Sequence, residues 1–263
     1  HADGPVIGLS FDGTGLGTDG TIWGGEVLVA DYHFFTRAAH LAPVPMPGSA
    51  AAIKEPWRMA VSHLRAAFGE EAGLLPLPFL RSAGKERVAI MMAMMDKQIN
   101  SPLTSSLGRL FDAVAAIIGL RGQVAFEGQA AMELEMILDA AESGSYDFSW
   151  EGDGPCRIAT TPIIQAVVRD VEKGVSPNAI SARFHNTLIL LFDQLCRHLR
   201  TTTGIDRVAL SGGVFQNNRL LVGLTAALEK SGFDLLTHRL VPTNDGGLSL
   251  GQAMVAAAKV TAS

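Results

Sequence analysis

Cysteine is scarce in this sequence. Cys156 and Cys196 are the two thiols among 263 residues, and neither has a second cysteine or a histidine at a metal-ligand spacing. Two isolated thiols are typical of a protein from a reducing compartment and give no support to a disulfide framework or a zinc finger. We therefore expect both to be reduced core residues, and we expect a cytoplasmic protein.

Basic runs, long apolar runs and paired histidines are also missing. Lys and Arg number 21 against 26 Asp and Glu, so no positive field favours nucleic acid as a partner. The longest apolar runs, such as 114–120, fall well short of the roughly 20 residues that a membrane span needs. Because the sequence has no His-x-x-x-His pair, no Gly-x-Ser-x-Gly elbow and no Walker lysine loop, it does not support zinc peptidases, serine hydrolases or P-loop enzymes.

Apolar residues are plentiful, at 48% of the chain, and their pattern predicts an α/β fold. A strand-rich start at 1–48 is followed by a helical middle at 54–200 and a β-α-β-α end at 205–260. Strands are predicted at 6–11, 21–23, 27–30, 207–210 and 233–240. Helices are predicted from Pro56 through Leu64 and at 84–99, 106–119, 128–142, 161–173, 177–200, 217–230 and 246–259. Because prolines alternate in 41–48, we expect this stretch to be an extended surface connector.

Three glycine-rich segments each follow an apolar strand, at 13–17, 212–213 and 246–247. In sheets covered by helices, ligand-binding loops leave the carboxyl ends of the strands. Glycine lets backbone approach a phosphate or a nucleoside closely. These three segments are therefore the first candidates for a binding site.

Each candidate segment also has a purely structural interpretation. Asp12 with Gly13-Thr14-Gly15 fits a metal-bound phosphate, and it fits an ordinary β-hairpin turn equally well. The Gly212-Gly213 pair fits a nucleoside contact or a tight turn with Asn217 near a helix N-cap. Asp245 fits an oxygen ligand for a divalent ion or a helix N-cap.

Two further segments are weaker candidates. Arg109 and Asp112 stand three residues apart beside an apolar helix face, and a surface ion pair is the default interpretation. Glu127 opens a predicted helix, where it could merely complement the helix dipole. Neither segment is specific alone.

Seven segments, taken together and in order, closely resemble the HypF family of hydrogenase maturation proteins. They are Phe11-Asp12-Gly13-Thr14-Gly15, Thr21-Ile22-Trp23-Gly24-Gly25-Glu26, Lys54-Glu55-Pro56-Trp57-Arg58-Met59-Ala60, Gly108-Arg109-Leu110-Phe111-Asp112-Ala113, Phe126-Glu127-Gly128-Gln129-Ala130-Ala131, Ser211-Gly212-Gly213-Val214-Phe215-Gln216-Asn217 and Asn244-Asp245-Gly246-Gly247. They span nearly the whole chain. Any one of them is unremarkable, but chance is a poor explanation for all seven.

The resemblance implies a fold and an activity. The carbamoyltransferase domain of this family is similar to the tRNA threonylcarbamoyladenosine transferases and has the actin-like, ribonuclease-H-like ATPase architecture, with two α/β lobes and a nucleotide between them. We expect the N-terminal lobe to be truncated here. The implied reaction passes the carbamoyl group of carbamoyl adenylate, formed with ATP, to the C-terminal cysteine thiol of HypE, and leads to the cyanide ligand of the nickel-iron hydrogenase.

The resemblance also implies a site. Asp12 and Asp245 are the implied catalytic residues and ligands of a divalent metal, whether iron, zinc or magnesium. The implied nucleotide-binding residues are Gly13, Thr14, Gly15, Gly108, Asp112, Glu127, Gly128, Gly212, Gly213 and Asn217. Cys156 and Cys196 have no implied catalytic role, because the nucleophile belongs to HypE.

The sequence departs from the family pattern at its front. The family carries a histidine-rich segment upstream of the first matching strand, and two of its histidines ligate the metal, whereas His1 stands alone here. We therefore expect metal binding to be incomplete. An alternative hypothesis is a binding or assembly module that keeps the nucleotide pocket and the HypE-facing surface without turnover. A sugar kinase of the actin-like superfamily is a third, less favoured because no aspartate stands out as the group that would activate a sugar hydroxyl.

Overall fold

A single mixed β-sheet organises the chain. The computed structural model describes residues 4–152 and 154–261, so His1 lies outside the described residues. The strands are β1 (Val6–Leu16), β2 (Ile22–Ala30), β3 (Phe35–Leu41), β4 (Val44–Pro45), β5 (Leu103–Thr104), β6 (Ser149–Glu151), β7 (Cys156–Ala159), β8 (Arg207–Ser211) and β9 (Asp234–Leu236). Their order in the sheet is β6-β7-β3-β2-β1-β8-β9, with β4 and β5 paired beside β2.

The topology of the sheet confirms the predicted fold class. Strands β1, β2 and β3 form an antiparallel meander, whereas β8 and β9 lie parallel to β1 on its other side. Three antiparallel strands followed by parallel strands that are reached through helices constitute a ribonuclease-H-like core. The described residues build one such lobe; the second lobe of the actin-like architecture stays a prediction.

Ten α-helices pack around this sheet in the described part of the chain. They are α1 (Ala50–Lys54), α2 (Pro56–Phe68), α3 (Pro78–Ala83), α4 (Lys85–Asp96), α5 (Leu107–Ile117), α6 (Gln129–Met136), α7 (Thr161–Glu172), α8 (Pro177–Thr203), α9 (Asn218–Lys230) and α10 (Leu248–Thr261). Every residue of α5 is buried, and Phe111 packs edge-on against Phe184 of α8. The central position of α5 fixes its first turn against the end of β1.

Two predicted elements are shorter than the pattern indicates. The helix predicted at 128–142 ends at Met136. The segment that follows is not helical, and Glu142 at its end pairs with Arg183 of α8. The strand predicted at 233–240 ends at Leu236, the last residue that has a partner on β8. Within 4–152 and 154–261, no helix has the length and apolar character needed to cross a bilayer.

The proline-rich stretch 41–48 is not a surface connector, so that prediction is wrong. Val44 pairs with Thr104 in a short ladder, and Val44 and Met46 are buried in a small core cluster. The prolines fix an extended backbone whose intervening apolar residues point inward. Met46 donates its backbone N–H to the carbonyl of Pro102 at 2.8 Å. Because proline has no N–H, the segment forms its backbone hydrogen bonds through the residues between the prolines.

Candidate nucleotide-binding site

A cavity of about 470 Å³ opens where β1, α5 and α6 meet the segments that follow β8 and β9. It is lined by Asp12, Gly13, Gly108, Arg109, Asp112, Glu127, Gly128, Ala131, Gly213, Val214, Gln216, Asn244, Asp245 and Gly246. A neighbouring cavity of about 640 Å³, between the same strand ends and α10, shares Asp12, Asn244 and Asp245 with it. The size of the first cavity suits a mononucleotide.

Asp12 lies in an irregularity of β1 and not at a hairpin turn, so the hairpin interpretation of this segment is wrong. The register between β1 and β2 shifts between Phe11 and Gly15, and pairing then resumes. The Asp12 carboxylate accepts a hydrogen bond from the backbone N–H of Gly13 at 2.7 Å. The actual turn is capped by Asp19: burial alone would raise the pKa of this carboxyl, but hydrogen bonds from Thr21 and Trp23 outweigh it and lower the pKa to about 2.

The first turn of α5 is pressed against this irregularity of β1. The Ser106 hydroxyl caps α5 by accepting from the Arg109 N–H at 3.2 Å, and it donates to the carbonyl of Asp12 at 2.6 Å. A Cβ at position 108 would lie 2.8 Å from Gly13 Cα, which is closer than real contacts allow. Glycine at 108 therefore lets the helix N-terminus, a favourable position for anions, reach the end of β1.

The Gly212-Gly213 pair follows β8 and packs against the same part of β1. Gly212 has φ of 106°, and a Cβ there would clash with the Phe11 backbone. Gly212 donates its N–H to the carbonyl of Thr243 at 2.9 Å. A Cβ at Gly213 would lie 3.1 Å from a carboxylate oxygen of Asp12. Both glycines thus bring the end of β8 next to Asp12.

Asp245 begins a 3₁₀ turn over Asp245–Gly247, but it does not cap it. The cap is Asn244, whose side-chain oxygen accepts from the Gly246 N–H at 3.1 Å. The N-cap interpretation of Asp245 is therefore wrong. The exposed Asp245 carboxylate lines both cavities.

The pair formed by Arg109 and Asp112 is buried, so its interpretation as a surface ion pair is wrong. Arg109 Nη1 lies 3.0 Å from Asp112 Oδ2, and each side chain is 4% exposed. Within the described residues, Arg109 Nε and Nη1 and Asp112 Oδ2 have no hydrogen-bond partner. Burial raises the pKa of Asp112 to about 6, although the charge of Arg109 lowers it, and Glu127 raises it further.

Glu127 and Gly128 line the cavity from the start of α6. Gly128 has φ of 78° and occupies the N-cap position, where a left-handed backbone favours glycine. Glu127 is exposed beside the N-terminus of α6, so it can complement the helix dipole and still face a ligand.

Four of the predicted residues do not line this cavity, and one of them, Gly212, lines the neighbouring cavity instead. Thr14 and Gly15 lie on the exposed end of β1, after Asp12 and Gly13. The side chain of Asn217 points into the protein: its oxygen accepts from the Leu220 N–H at 2.8 Å as the N-cap of α9, and its amide group donates to His185 Nε2 at 2.9 Å. Burial lowers the pKa of His185 to about 4, which keeps this ring a neutral acceptor. The structural interpretation of Asn217 is the one the contacts support.

Three lining residues with polar or charged groups were not among the predicted site residues: Arg109, Gln216 and Asn244. Asp112 was predicted to belong to the site, but its burial was not. Arg109 and Asp112 had a usable signal, because two charges stand in a helix that is apolar on every side. Such charges have no aqueous face to reach, which predicts a pair turned toward a cavity.

Asp12 and Asp245 are the two carboxylates that could hold a divalent metal between the cavities. No group of three His, Cys, Asp or Glu residues suited to a metal occurs in the part of the chain that the structure describes. Two carboxylates fit a partial set of oxygen ligands for a hard cation, which commonly completes its shell with water and phosphate oxygens.

A comparison with known protein families shows to which family this chain belongs. A family profile described as "Carbamoyltransferase, Kae1-like Domain, second subdomain" matches residues 8–252. The chain belongs to the HypF family. Carbamoyltransferase HypF of Rhizobium leguminosarum bv. viciae is 42% identical over 252 residues, which cover 95% of this chain and 32% of that protein.

Solved structures and a more distant relative agree with this assignment to HypF. The crystal structure of full-length HypF in the phosphate- and nucleotide-bound form superposes with a TM-score of 0.91 at 42% identity, covering 97% of this chain and 40% of that one. A tRNA N6-adenosine threonylcarbamoyltransferase of Bacillus licheniformis is 29% identical over 142 residues, or 51% of this chain and 38% of that protein. The predicted resemblance to HypF is confirmed, and the chain spans about a third of the length of the HypF relatives that it first matches.

Proposed function

We propose that this chain carries out the carbamoyl-transfer step of the HypF family, moving the carbamoyl group of carbamoyl adenylate to the C-terminal cysteine thiol of HypE during [NiFe]-hydrogenase maturation. One observation carries the proposal. Three glycine-bearing segments, at 12–13, 212–213 and 245–246, converge with the first turn of α5 on one cavity. The phosphate- and nucleotide-bound state named for the solved HypF neighbour supports a nucleotide as the ligand.

The cavity offers different groups to the two halves of an adenylate. The phosphate would lie beside the Asp12-Gly13 backbone and the N-terminus of α5, where the helix dipole favours anions. The nucleoside would lie toward Asp112 and Glu127, which also line the cavity and whose carboxylates can accept hydrogen bonds from ribose hydroxyls.

The transfer itself exchanges one bond for another. The thiolate sulfur of the acceptor attacks the carbamoyl carbon, a C–S bond forms, and the bond from that carbon to the phosphate oxygen breaks, so that AMP leaves with the electron pair. Asp12 and Asp245 would hold the divalent metal, which would supply charge stabilisation at the departing phosphate.

The nucleophile comes from the partner in this proposal. Cys156 and Cys196 are both buried, and burial raises the pKa of the Cys196 thiol far above its ordinary value. A buried thiol of raised pKa is a poor nucleophile. Two free cysteines also support the cytoplasm as the compartment.

The test is product formation with preformed donor. The chain is mixed with carbamoyl adenylate, HypE and, in separate reactions, iron, zinc or magnesium, and intact-mass spectrometry follows HypE. We expect HypE to gain one carbamoyl group, and a HypE variant with its terminal cysteine replaced by alanine to gain none. Binding of HypE and nucleotide without product under all three metals would contradict the proposal and favour the assembly module, and phosphorylation of a sugar would favour a kinase.

A further inference from the structure

The cavity is acidic except at one residue. Asp12, Asp112, Glu127 and Asp245 supply four carboxyl groups to its wall. Among its described lining residues, Arg109 is the single cation. A phosphorylated ligand therefore meets repulsion from most charged groups of the cavity and attraction from Arg109 alone.

The Arg109 guanidinium is buried but incompletely bonded. The residue is 3% exposed, and its ion pair with Asp112 at 3.0 Å is the one salt bridge found for it in the described chain. Nε has no hydrogen-bond partner there, and Nη1 has no contact of this kind beyond its ion pair with Asp112. A guanidinium has five N–H donors, and leaving them unpaired in a buried position is costly unless a ligand accepts them.

The position of the guanidinium points to one part of the ligand. A Cβ at Gly13 would lie 3.2 Å from Arg109 Nη2 and 3.8 Å from Glu127 Oε1, so glycine at this position lets the guanidinium pack closely against the backbone after Asp12, where both Gly13 and Arg109 line the cavity. The same space adjoins the backbone turn after Asp12 and the capped first turn of α5. The guanidinium of Arg109 and the N-terminus of α5 thus lie beside one small volume, and they are the groups there that favour an anion next to the carboxylates of Asp12 and Glu127.

We propose that Arg109 is a specificity-determining residue that binds a phosphate oxygen of the ligand and makes the cavity prefer phosphorylated nucleosides to nucleosides. This inference rests on the proposed function, because it deepens the nucleotide site described above. The ion pair with Asp112 holds the guanidinium in its buried position, from which it reaches the phosphate.

The test compares two ligands that differ only in the phosphate. Calorimetric titration gives the Kd of AMP and of adenosine for the chain, in EDTA and in magnesium, and for the variant Arg109→Gln. We expect Arg109→Gln to weaken AMP binding by about 10- to 100-fold, the range for a lost charge-assisted hydrogen bond, and to change adenosine binding by less than about 3-fold. The matched control is Arg121→Gln, which breaks an arginine–glutamate pair with Glu133 outside this cavity and should leave both affinities unchanged.

Several outcomes would overturn the inference. If Arg109→Gln weakens the binding of AMP and of adenosine equally, Arg109 is a positioning residue for Asp112. If the unmodified chain binds both ligands with equal affinity, there is no phosphate preference, although the nucleotide pocket stands. Absence of binding by either ligand would overturn the proposed function as well. If Arg109→Gln does not fold, the double variant Arg109→Gln/Asp112→Asn removes both buried charges, and its ratio of adenosine to AMP Kd must still fall. The variant Arg109→Lys, which keeps the charge, should retain part of the preference.

Discussion

The carboxyl group of Asp112 shows how burial sets the chemistry of one residue in this cavity. Its pKa is raised to about 6 from 3.8, because burial disfavours the ionised form more strongly than Arg109 favours it. At pH 7 the carboxyl is therefore mostly ionised, and it becomes protonated as the pH falls through about 6. A ligand or a metal that brings positive charge nearby would therefore shift this carboxyl toward the ionised form.

A first prediction follows for stability against pH. Since the pKa of this acid is higher in the folded than in the unfolded protein, its contribution to stability is present below about pH 4 and is lost as the pH rises through about 6. Asp112→Asn should remove about 3 kcal/mol of this pH dependence, with the two proteins differing most in slope between pH 4 and 6. Urea unfolding at pH 4, 5, 6 and 8 measures it. Parallel curves for the two proteins would contradict the assignment.

Asp245 differs from Asp112, because its carboxylate is exposed and does not cap the 3₁₀ turn that it begins. Because Asn244 caps the 3₁₀ turn, Asp245→Ala should change the free energy of unfolding by less than about 0.5 kcal/mol, as exposed substitutions usually do. Metal-dependent AMP binding should weaken at least 10-fold, since one of two candidate metal ligands is lost. Calorimetry with and without magnesium, beside thermal unfolding, separates the two effects. Asn244→Ala is the comparison variant, and it should lower stability more than Asp245→Ala does.

At the scale of elements, the start of α5 joins helix stability to the site. Ser106 caps the helix and also bonds the carbonyl of Asp12, so Ser106→Ala should cost about 1–2 kcal/mol and also weaken AMP binding severalfold. Ser176→Ala is the matched control, because Ser176 caps α8 by accepting from the Ala179 N–H far from the cavity. We expect the control to lose stability without losing AMP affinity. Denaturant unfolding and calorimetry on both variants test this, and an equal loss of affinity in the two would refute the special role of Ser106.

Elements with local signals could be predicted from sequence, and those without could not. Helices α2 and α8 carry proline in their first turn, and their apolar spacing places them correctly. Five strands, β3 to β7, were missed. Strands β4 to β7 are too short to have clear patterns of their own, and β3 and β7 pair with each other across a long sequence separation. The same reason explains the error at 41–48, whose burial depends on a partner near residue 103.

The candidate site was predictable in part. The glycine-rich segments could be recognised in the sequence, since each follows an apolar strand, and Asp12, Gly108 and Gly213 do meet at one cavity. The burial of Arg109 could have been predicted from the apolar helix around it, whereas the partners of α5, such as Phe184, come from distant segments and could not. The orientation of Asn217 depends on His185, a residue that no local pattern connects to it.

At the scale of the whole molecule, the site joins segments separated by most of the chain. Saturation with AMP and magnesium should stabilise the folded state by about 2.7 kcal/mol at a ligand concentration of 100 Kd. Hydrogen exchange should slow jointly in 108–112, 126–128, 212–216 and 244–247, because these segments line one cavity. Mass-spectrometric exchange with and without AMP measures this, with adenosine as the comparison ligand. Protection confined to one segment would contradict a shared site.

The central place of β1 has a consequence for synthesis on the ribosome. One side of β1 pairs at once with β2, but its other side pairs with β8, whose residues emerge about 200 positions later. Until then the nascent chain exposes an unpaired strand edge that invites wrong pairing with other chains. The cavity cannot bind its ligand during this interval, since Gly213 and Asp245 emerge last. Chaperone capture of nascent chains should therefore end only after residue 211 has left the exit tunnel.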